Sequence, residues 1–265
     1  MHGQTGTTSN LLAIAVTSTI IYKYKNMVTQ THFNLNNLEA PLLSTSNNDS
    51  KEYFMDIGID ALARSLKSSY LDSTVIENCT ISLLHKQLSL LPGTTKNNKE
   101  IYEFDMSKTI LSILNAAANC HDIIFIDTNS GRNDLTMKIL NSADIIVVNL
   151  SQNKNIMDDF TSNYNFNDKK IFYLIGNYDP NSKYNYNNLR KIYHFMKKKN
   201  TAVIPYNTEF MDVQSDGEVI SYIMKNLECK KEEENAYFIK EVKLAVNKLL
   251  DFAGLERRDK NGFHN

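Results

Sequence analysis

The sequence predicts an α/β domain: a doubly wound, mainly parallel sheet with helices on both faces. Four short apolar runs carry most of that reading: IIFI at 123–126, IIVV at 145–148, IFYLI at 171–175 and AVIP at 202–205. None alternates with polar residues, which is the composition of strands buried on both faces. Segments with apolar residues at helical spacing lie between them, and strands that alternate with helices wind into a parallel sheet. The third observation is length. The 265 residues suffice for one large core, and no linker divides them. A single domain is expected over 1–255, followed by a polar tail over 256–265.

Residues 88–91 (LSLL) and the pair Met27–Val28 are weaker strand candidates. Helices are expected over Thr8–Lys25, over Tyr53–Ser69 with Phe54, Ile57, Ala61, Leu62 and Leu66 on one face, and over Met106–Ala118 with Ile110, Ile113, Leu114 and Ala117. Leu135–Leu140, Asn187–Met196 and Gly217–Met224 follow. A terminal helix over Asn235–Ala253 puts Phe238, Val242, Ala245, Val246 and Leu249 on one side.

Composition narrows the function classes. The formal net charge is −1, so no global basic field exists to attract nucleic acid, and nucleic acid is not expected as a partner. The three cysteines, Cys79, Cys120 and Cys229, are far apart and read as reduced thiols of a cytosolic protein. The apolar run Leu11–Tyr22 is interrupted by Thr17, Ser18 and Thr19 and falls short of the ~20 residues that span a bilayer. The start of the sequence lacks the basic region of a signal peptide. Lys197, Lys198 and Lys199 read as cations closing a helix. The terminal helix carries Lys240, Lys243 and Lys248, but Glu241 and the run Glu232–Glu234 oppose attraction to anionic lipid, so docking on the domain or a partner is expected. No Ser-His-Asp order, zinc-ligand spacing or paired-carboxylate signature rises above chance.

The stretch that carries chemistry is HGQTGTTSN, His2 to Asn10, which runs straight into a helix. Gly3 and Gly6 let the backbone turn tightly against an anion. Thr7, Thr8 and Ser9 bring amides and hydroxyls to a helix N-terminus, where the dipole favours phosphate. A phosphate loop ordinarily adds a lysine before its Ser/Thr, and here that residue is Thr7. A second piece, DIIFIDTNSG, is an apolar strand ending in Asp127, with Gly131 soon after. Asp127 suits a Mg²⁺-linked acceptor facing such a loop, and Gly131 suits a backbone sensor of a terminal phosphate.

These residues resemble the deviant Walker A ATPases of the ParA/MinD family, whose loop reads KGGxGKTT. DTNSG at 127–131 resembles the family's switch II. NLNNLEAPL at 34–42 resembles the segment after its switch I aspartates, and LSLLPG at 88–93 the strand that ends in LPA or LPG. IGNYDP at 175–180 and VIPYN at 203–207 resemble the strand ends on the purine side. The marks recur in order from residue 2 to about 227. Within the family the likeness is best to the localisation and assembly proteins of tight-adherence (Tad/Flp) pili.

The resemblance implies ATP or ADP with Mg²⁺ as cofactors, held by Gly3, Gly6, Thr7, Thr8 and Ser9 for phosphate and by Thr8 and Asp127 for the metal. It implies Gln30, His32, Asp127 and Gly131 at the switches, and Asn177, Pro205 and Asn207 beside the base. It also implies a homodimer that assembles with a pilus or secretion ATPase or with membrane assembly proteins. The location would be cytoplasmic, at the cytoplasmic face of the inner membrane, with peripheral association. The departures are as informative. The family's signature lysine aligns with His2, its ordinary Walker lysine with Thr7, and its switch I aspartates with Gln30 and His32. Phosphoryl transfer depends on positioning and charge stabilisation, so weak or no hydrolysis is expected. A partition-type ATPase that binds DNA and a nucleotide-free interaction module are the alternatives. In the family a strand precedes the phosphate loop, which here opens at His2. Either that strand lies upstream of these residues or the sheet lacks it.

Overall fold

A computed structural model describes residues 5–33, 37–43, 54–68, 70–129, 131, 133–164 and 169–256. Gly3, expected to bind phosphate, and His2, aligned with the family's signature lysine, lie outside the described residues, as do most of the tail and part of the segment 34–42.

The strands run mostly parallel and helices flank them, as expected. The first sheet has four strands in the order β2-β3-β1-β4: β1 (Asn26–Gln30), β2 (Ile81–Leu83), β3 (Leu88–Leu91) and β4 (Ile123–Asp127). β1 pairs in parallel with β3 and β4, and β2 is the antiparallel edge. The second sheet has three parallel strands in the order β5-β6-β7: β5 (Ile145–Leu150), β6 (Lys170–Tyr178) and β7 (Thr201–Pro205). Among the described residues β4 and β5 share no ladder, so the mainly parallel sheet is interrupted between them, beside the strand that ends at Asp127.

The side chains show how the two sheets share one architecture. Ile123 and Phe125 of β4 and Ile145 and Val147 of β5 all pack on one cluster, with Val28, Leu88, Leu90, Phe172, Leu174, Ala202 and Ile204. That layer is built on α1 (Thr7–Ile21), α10 (Val219–Asn226) and α11 (Ala236–Ala253). The opposite faces are covered separately. Met27, Leu91, Ile124 and Ile126 pack on α3 (Gly58–Ser68), α4 (Ser73–Asn78), α5 (Lys99–Ala118) and α6 (Asp134–Ser142). Ile146, Val148, Tyr173, Ile175 and Val203 pack on α7 (Lys154–Asn163) and α8 (Tyr186–Ile192). The alternation follows from the period of two along each strand.

α1 is apolar nearly all round, and Leu12 through Thr19 are buried, the composition of a helix enclosed on every side. Two of its buried hydroxyls are satisfied internally, while that of Thr17 has no hydrogen-bond partner. Ser18 and Thr19 hydroxyls donate to the Ala15 carbonyl, and the Asn26 side-chain amide donates to both hydroxyls, at 3.0 and 2.8 Å.

Several element boundaries differ from the sequence reading. α1 stops at Ile21, and Tyr22 turns into extended backbone with its amide on the Ser18 carbonyl. α5 begins at Lys99, seven residues before Met106, because Asn98 caps it by accepting from the Ile101 amide at 2.9 Å. α8 ends at Ile192. Lys197–Lys199 therefore close no α-helix: Lys198–Asn200 is a single 3-10 turn, tied by the Asn200 carbonyl oxygen of its side chain to the Lys197 amide. α11 docks on the domain through Phe238, Val242, Ala245, Val246 and Leu249. Lys243 and Lys248 donate to the Leu227 and Thr201 carbonyls. Among the described residues no helix is long and apolar enough to cross a membrane.

The turn between β2 and β3 has three successive non-glycine residues in left-handed backbone: Leu84 (φ 46), His85 (φ 54) and Lys86 (φ 68). Each such residue costs ~1–2 kcal/mol. Lys86 is exposed and its side chain packs in no core cluster. Lys86→Gly is expected to stabilise the chain by about 0.5–1 kcal/mol, since the strain relieved outweighs the entropy glycine adds. Urea unfolding checks it, and an unchanged midpoint would show that the turn carries no net strain.

Candidate functional site

The first turn of α1 lies at the carboxyl ends of the strands, where an open α/β sheet places its ligands. Gly6 is the N-cap, in left-handed backbone at φ 72 and ψ 28. A side chain there would be strained and would approach the Asn177 carboxamide at 3.6 Å. The first intrahelical bond runs from the Asn10 amide to the Gly6 carbonyl at 2.8 Å. The amides of Thr7, Thr8 and Ser9 precede it, and no side chain caps them. By contrast α4, α5, α6, α7, α8 and α9 (Thr208–Asp216) are each capped by an Asp or Asn side chain. Thr7 is exposed, and Thr8 and Ser9 are half-buried.

Two hydrogen bonds fix this turn. The Thr8 hydroxyl donates to Asp127 Oδ2 at 2.6 Å, at the end of β4. The Asn10 amide group donates to Asn149 Oδ1 at 2.9 Å, near the end of β5. A close backbone approach adds a third constraint. A Cβ on Gly176 of β6 would lie 2.2 Å from the Thr5 carbonyl oxygen and 2.6 Å from Asn10 Nδ2. Only glycine leaves room for the loop to cross β6.

Asp127 is 1% exposed. Its Oδ2 has the Thr8 hydroxyl, but its Oδ1 is buried with no hydrogen-bond partner. His32 Nε2 lies 3.3 Å from Oδ2 and is likewise buried without a hydrogen bond, because the approach is not in hydrogen-bond geometry. Among the described residues no lysine or arginine pairs with Asp127. An orphaned carboxylate oxygen beneath uncapped helix amides is what a hard divalent cation bridging to phosphate requires, so these residues fit Mg²⁺. They also fit the anion it would accompany. Among the described residues no group of three or more His, Cys, Asp and Glu side chains gathers as a metal cage.

The other expected residues are placed unequally. Gln30 pairs with Asp127 in the β1–β4 register, but its side chain turns away. Its Nε2 donates to Glu39 Oε2 at 2.7 Å, and Glu39 Oε1 accepts the Gly93 amide at 2.6 Å, all fully buried or in close contact. Gly131 has φ 132 and open space where a Cβ would sit. Asn177 is exposed, has left-handed backbone (φ 48) and borders Gly6. Pro205 closes β7 opposite Tyr178. Asn207 has its side chain committed to the interior. It caps α9 by accepting from the Phe210 amide at 2.7 Å, accepts the Tyr222 hydroxyl at 3.1 Å, and donates to Asn235 at 2.8 Å. Burial, reinforced by Glu209, holds the Tyr222 phenol protonated far above its usual range.

Gly176, Asn10, Asn149, Glu39 and Gly93 were not legible as site residues. The signal available for Gly176 was a glycine inside an apolar strand run, which marks close approach of another backbone.

No family profile matches the sequence, and no curated protein does. Solved structures do. A ParA family ATPase from Chlorobium tepidum TLS superposes with a TM-score of 0.68 at 13% identity, covering 92% of this chain and 93% of that one. The septum site-determining protein MinD of Pyrococcus horikoshii OT3, solved with Mg-ADP, gives 0.67 at 16% identity, covering 95% of each chain. MinD of Aquifex aeolicus in a MinC:MinD complex gives 0.62 at 16% identity, covering 94% and 92%. The chain thus has the fold of the ParA/MinD ATPases.

Gly176→Ala is expected to push the Thr5 carbonyl off β6 and to cost about 1–3 kcal/mol in equilibrium unfolding. A loss below ~0.5 kcal/mol would show that the loop does not rest on this strand.

Proposed function

We propose that the chain binds a nucleotide, ATP or ADP, with a divalent cation at the first turn of α1. On this reading it serves as a dimeric localisation or assembly factor with weak or no hydrolysis. The observation that carries the proposal is Asp127: buried, held by Thr8, and with one oxygen unpartnered under the uncapped amides of Thr7, Thr8 and Ser9. Those amides and the Gly6 turn would receive phosphate oxygens, and Thr8 and Asp127 would hold the cation, directly or through water. Bound there, the cation would neutralise phosphate charge. Asn177, beside Gly6, and Pro205 are placed to border a base, while Asn207 acts as a fixed support for the Pro205–Thr208 turn. Gly131 would sense the terminal phosphate.

Two features around the phosphate loop support the reading of weak hydrolysis. Thr7 brings a hydroxyl where a lysine would bring charge, and Gln30 is tied to Glu39 rather than free to orient water. The assembly role, in a Tad/Flp-type pilus or secretion system, rests on the sequence resemblance. The ParA/MinD fold supports its nucleotide-binding part.

Melting temperature with and without millimolar Mg-ATP or Mg-ADP tests the reading. A ligand at a hundred times its Kd adds about 2.7 kcal/mol, a rise of several degrees for a chain of this size. The rise should vanish in Asp127→Asn and shrink in Thr8→Ala. No rise with any nucleotide would favour the nucleotide-free interaction module.

A further inference from the structure

We infer that His32 and Asp127 together form a mixed nitrogen–oxygen ligand pair for a first-row transition-metal ion, so that the cation accompanying the nucleotide is selected as Mn²⁺ over Mg²⁺. The inference rests on the nucleotide-site reading and names the ion that site prefers.

Three observations carry it. His32 Nε2 and Asp127 Oδ2 are 3.3 Å apart without forming a hydrogen bond. Ligands ~2.0–2.2 Å from one ion stand about 3–3.5 Å from each other, so the separation suits two neighbours in a coordination shell. Next, two atoms of the pair are buried without partners, Nε2 and Oδ1. An imidazolium–carboxylate ion pair would use Nε2 as a donor and still leave Oδ1 empty, whereas one cation bound by Nε2 and by both oxygens of the carboxylate would engage each of them. Lastly, Asp127 is held from behind. The Asp127 carbonyl accepts the Thr31 amide at 2.9 Å, and Asn129 donates to the Thr31 carbonyl at 3.2 Å. That is how outer groups orient a metal-binding carboxylate.

The donor type then decides the ion. Mg²⁺ takes oxygen ligands almost exclusively and gives up its water reluctantly. Imidazole favours ions further along the first row, and affinity for a nitrogen-containing site rises from Mn²⁺ onward. Two side chains do not complete a shell, so nucleotide phosphate and water supply the rest, and tight binding is expected only with nucleotide present.

The test measures Mn²⁺ affinity from the free-ion EPR signal, with ADP, and Mg²⁺ affinity by competition, in the full chain and in His32→Asp. The variant offers oxygen ligands alone. The Mn²⁺/Mg²⁺ affinity ratio is expected to fall about tenfold, and the melting temperature without ions to fall as well, because two carboxylates then face each other without a cation. If His32→Asp does not fold, His32→Gln carries the same comparison. An unchanged ratio with nucleotide still bound overturns the inference and leaves the nucleotide site standing. Mn²⁺ binding that depends on His32 but needs no nucleotide supports the pair and counts against the nucleotide reading. Absence of both Mn²⁺ and nucleotide binding overturns both.

Discussion

The arrangement hangs on one turn of helix. At its N-terminus α1 is tied to β4 through Thr8 and Asp127 and to β5 through Asn10 and Asn149. The two strands belong to sheets that share no ladder among the described residues. The Thr8 bond to a buried carboxylate contributes more than a neutral one, and with the neutral Asn10–Asn149 bond it ties the two sheets together at their carboxyl ends. The same bonds aim the free amides of α1 at the space between Asp127 and Asn177. Position of the sheets and shape of the site are therefore one constraint.

The polar interior beside that turn is arranged around carboxylates. Glu39 and Asp60 are buried, but each is met by donors: Glu39 by Gln30 and the Gly93 amide, Asp60 by Thr94 and the Thr95 amide. Asp127 differs in keeping an empty oxygen. A folded chain accumulates few such atoms because each costs free energy. Of these three buried acids, two have their oxygens taken up by structural donors and Asp127 has one left over, which is the observation that supports the proposed site.

The sequence was most legible where period and composition act alone. The apolar runs at 123–126, 145–148, 171–175 and 202–205 all became strands, because a strand buried on both faces needs no partner information to be recognised. Loop contacts were not legible. Asn10 reaching Asn149 depends on residues 139 positions apart, and nothing local in either neighbourhood announces the pairing. Gln30 and Asn207 show the opposite limit. Both stand where a resemblance puts functional groups, yet Glu39 and the α9 N-terminus have claimed their side chains. Helix ends were misjudged where capping overrode apolar spacing, as at Asn98.

The separation of β4 from β5 reaches beyond architecture. Each sheet has a lower layer of helices largely its own, while α1, α10 and α11 pack on both and α6 reaches both lower clusters. The two sheets meet through one shared layer of apolar packing and through two bonds at the first turn of α1. Any ligand seated on the first turn of α1 touches the clasp between those sheets. Its binding would then be felt as lost breathing throughout both sheets, with amide exchange slowed far from the ligand and no change in mean structure.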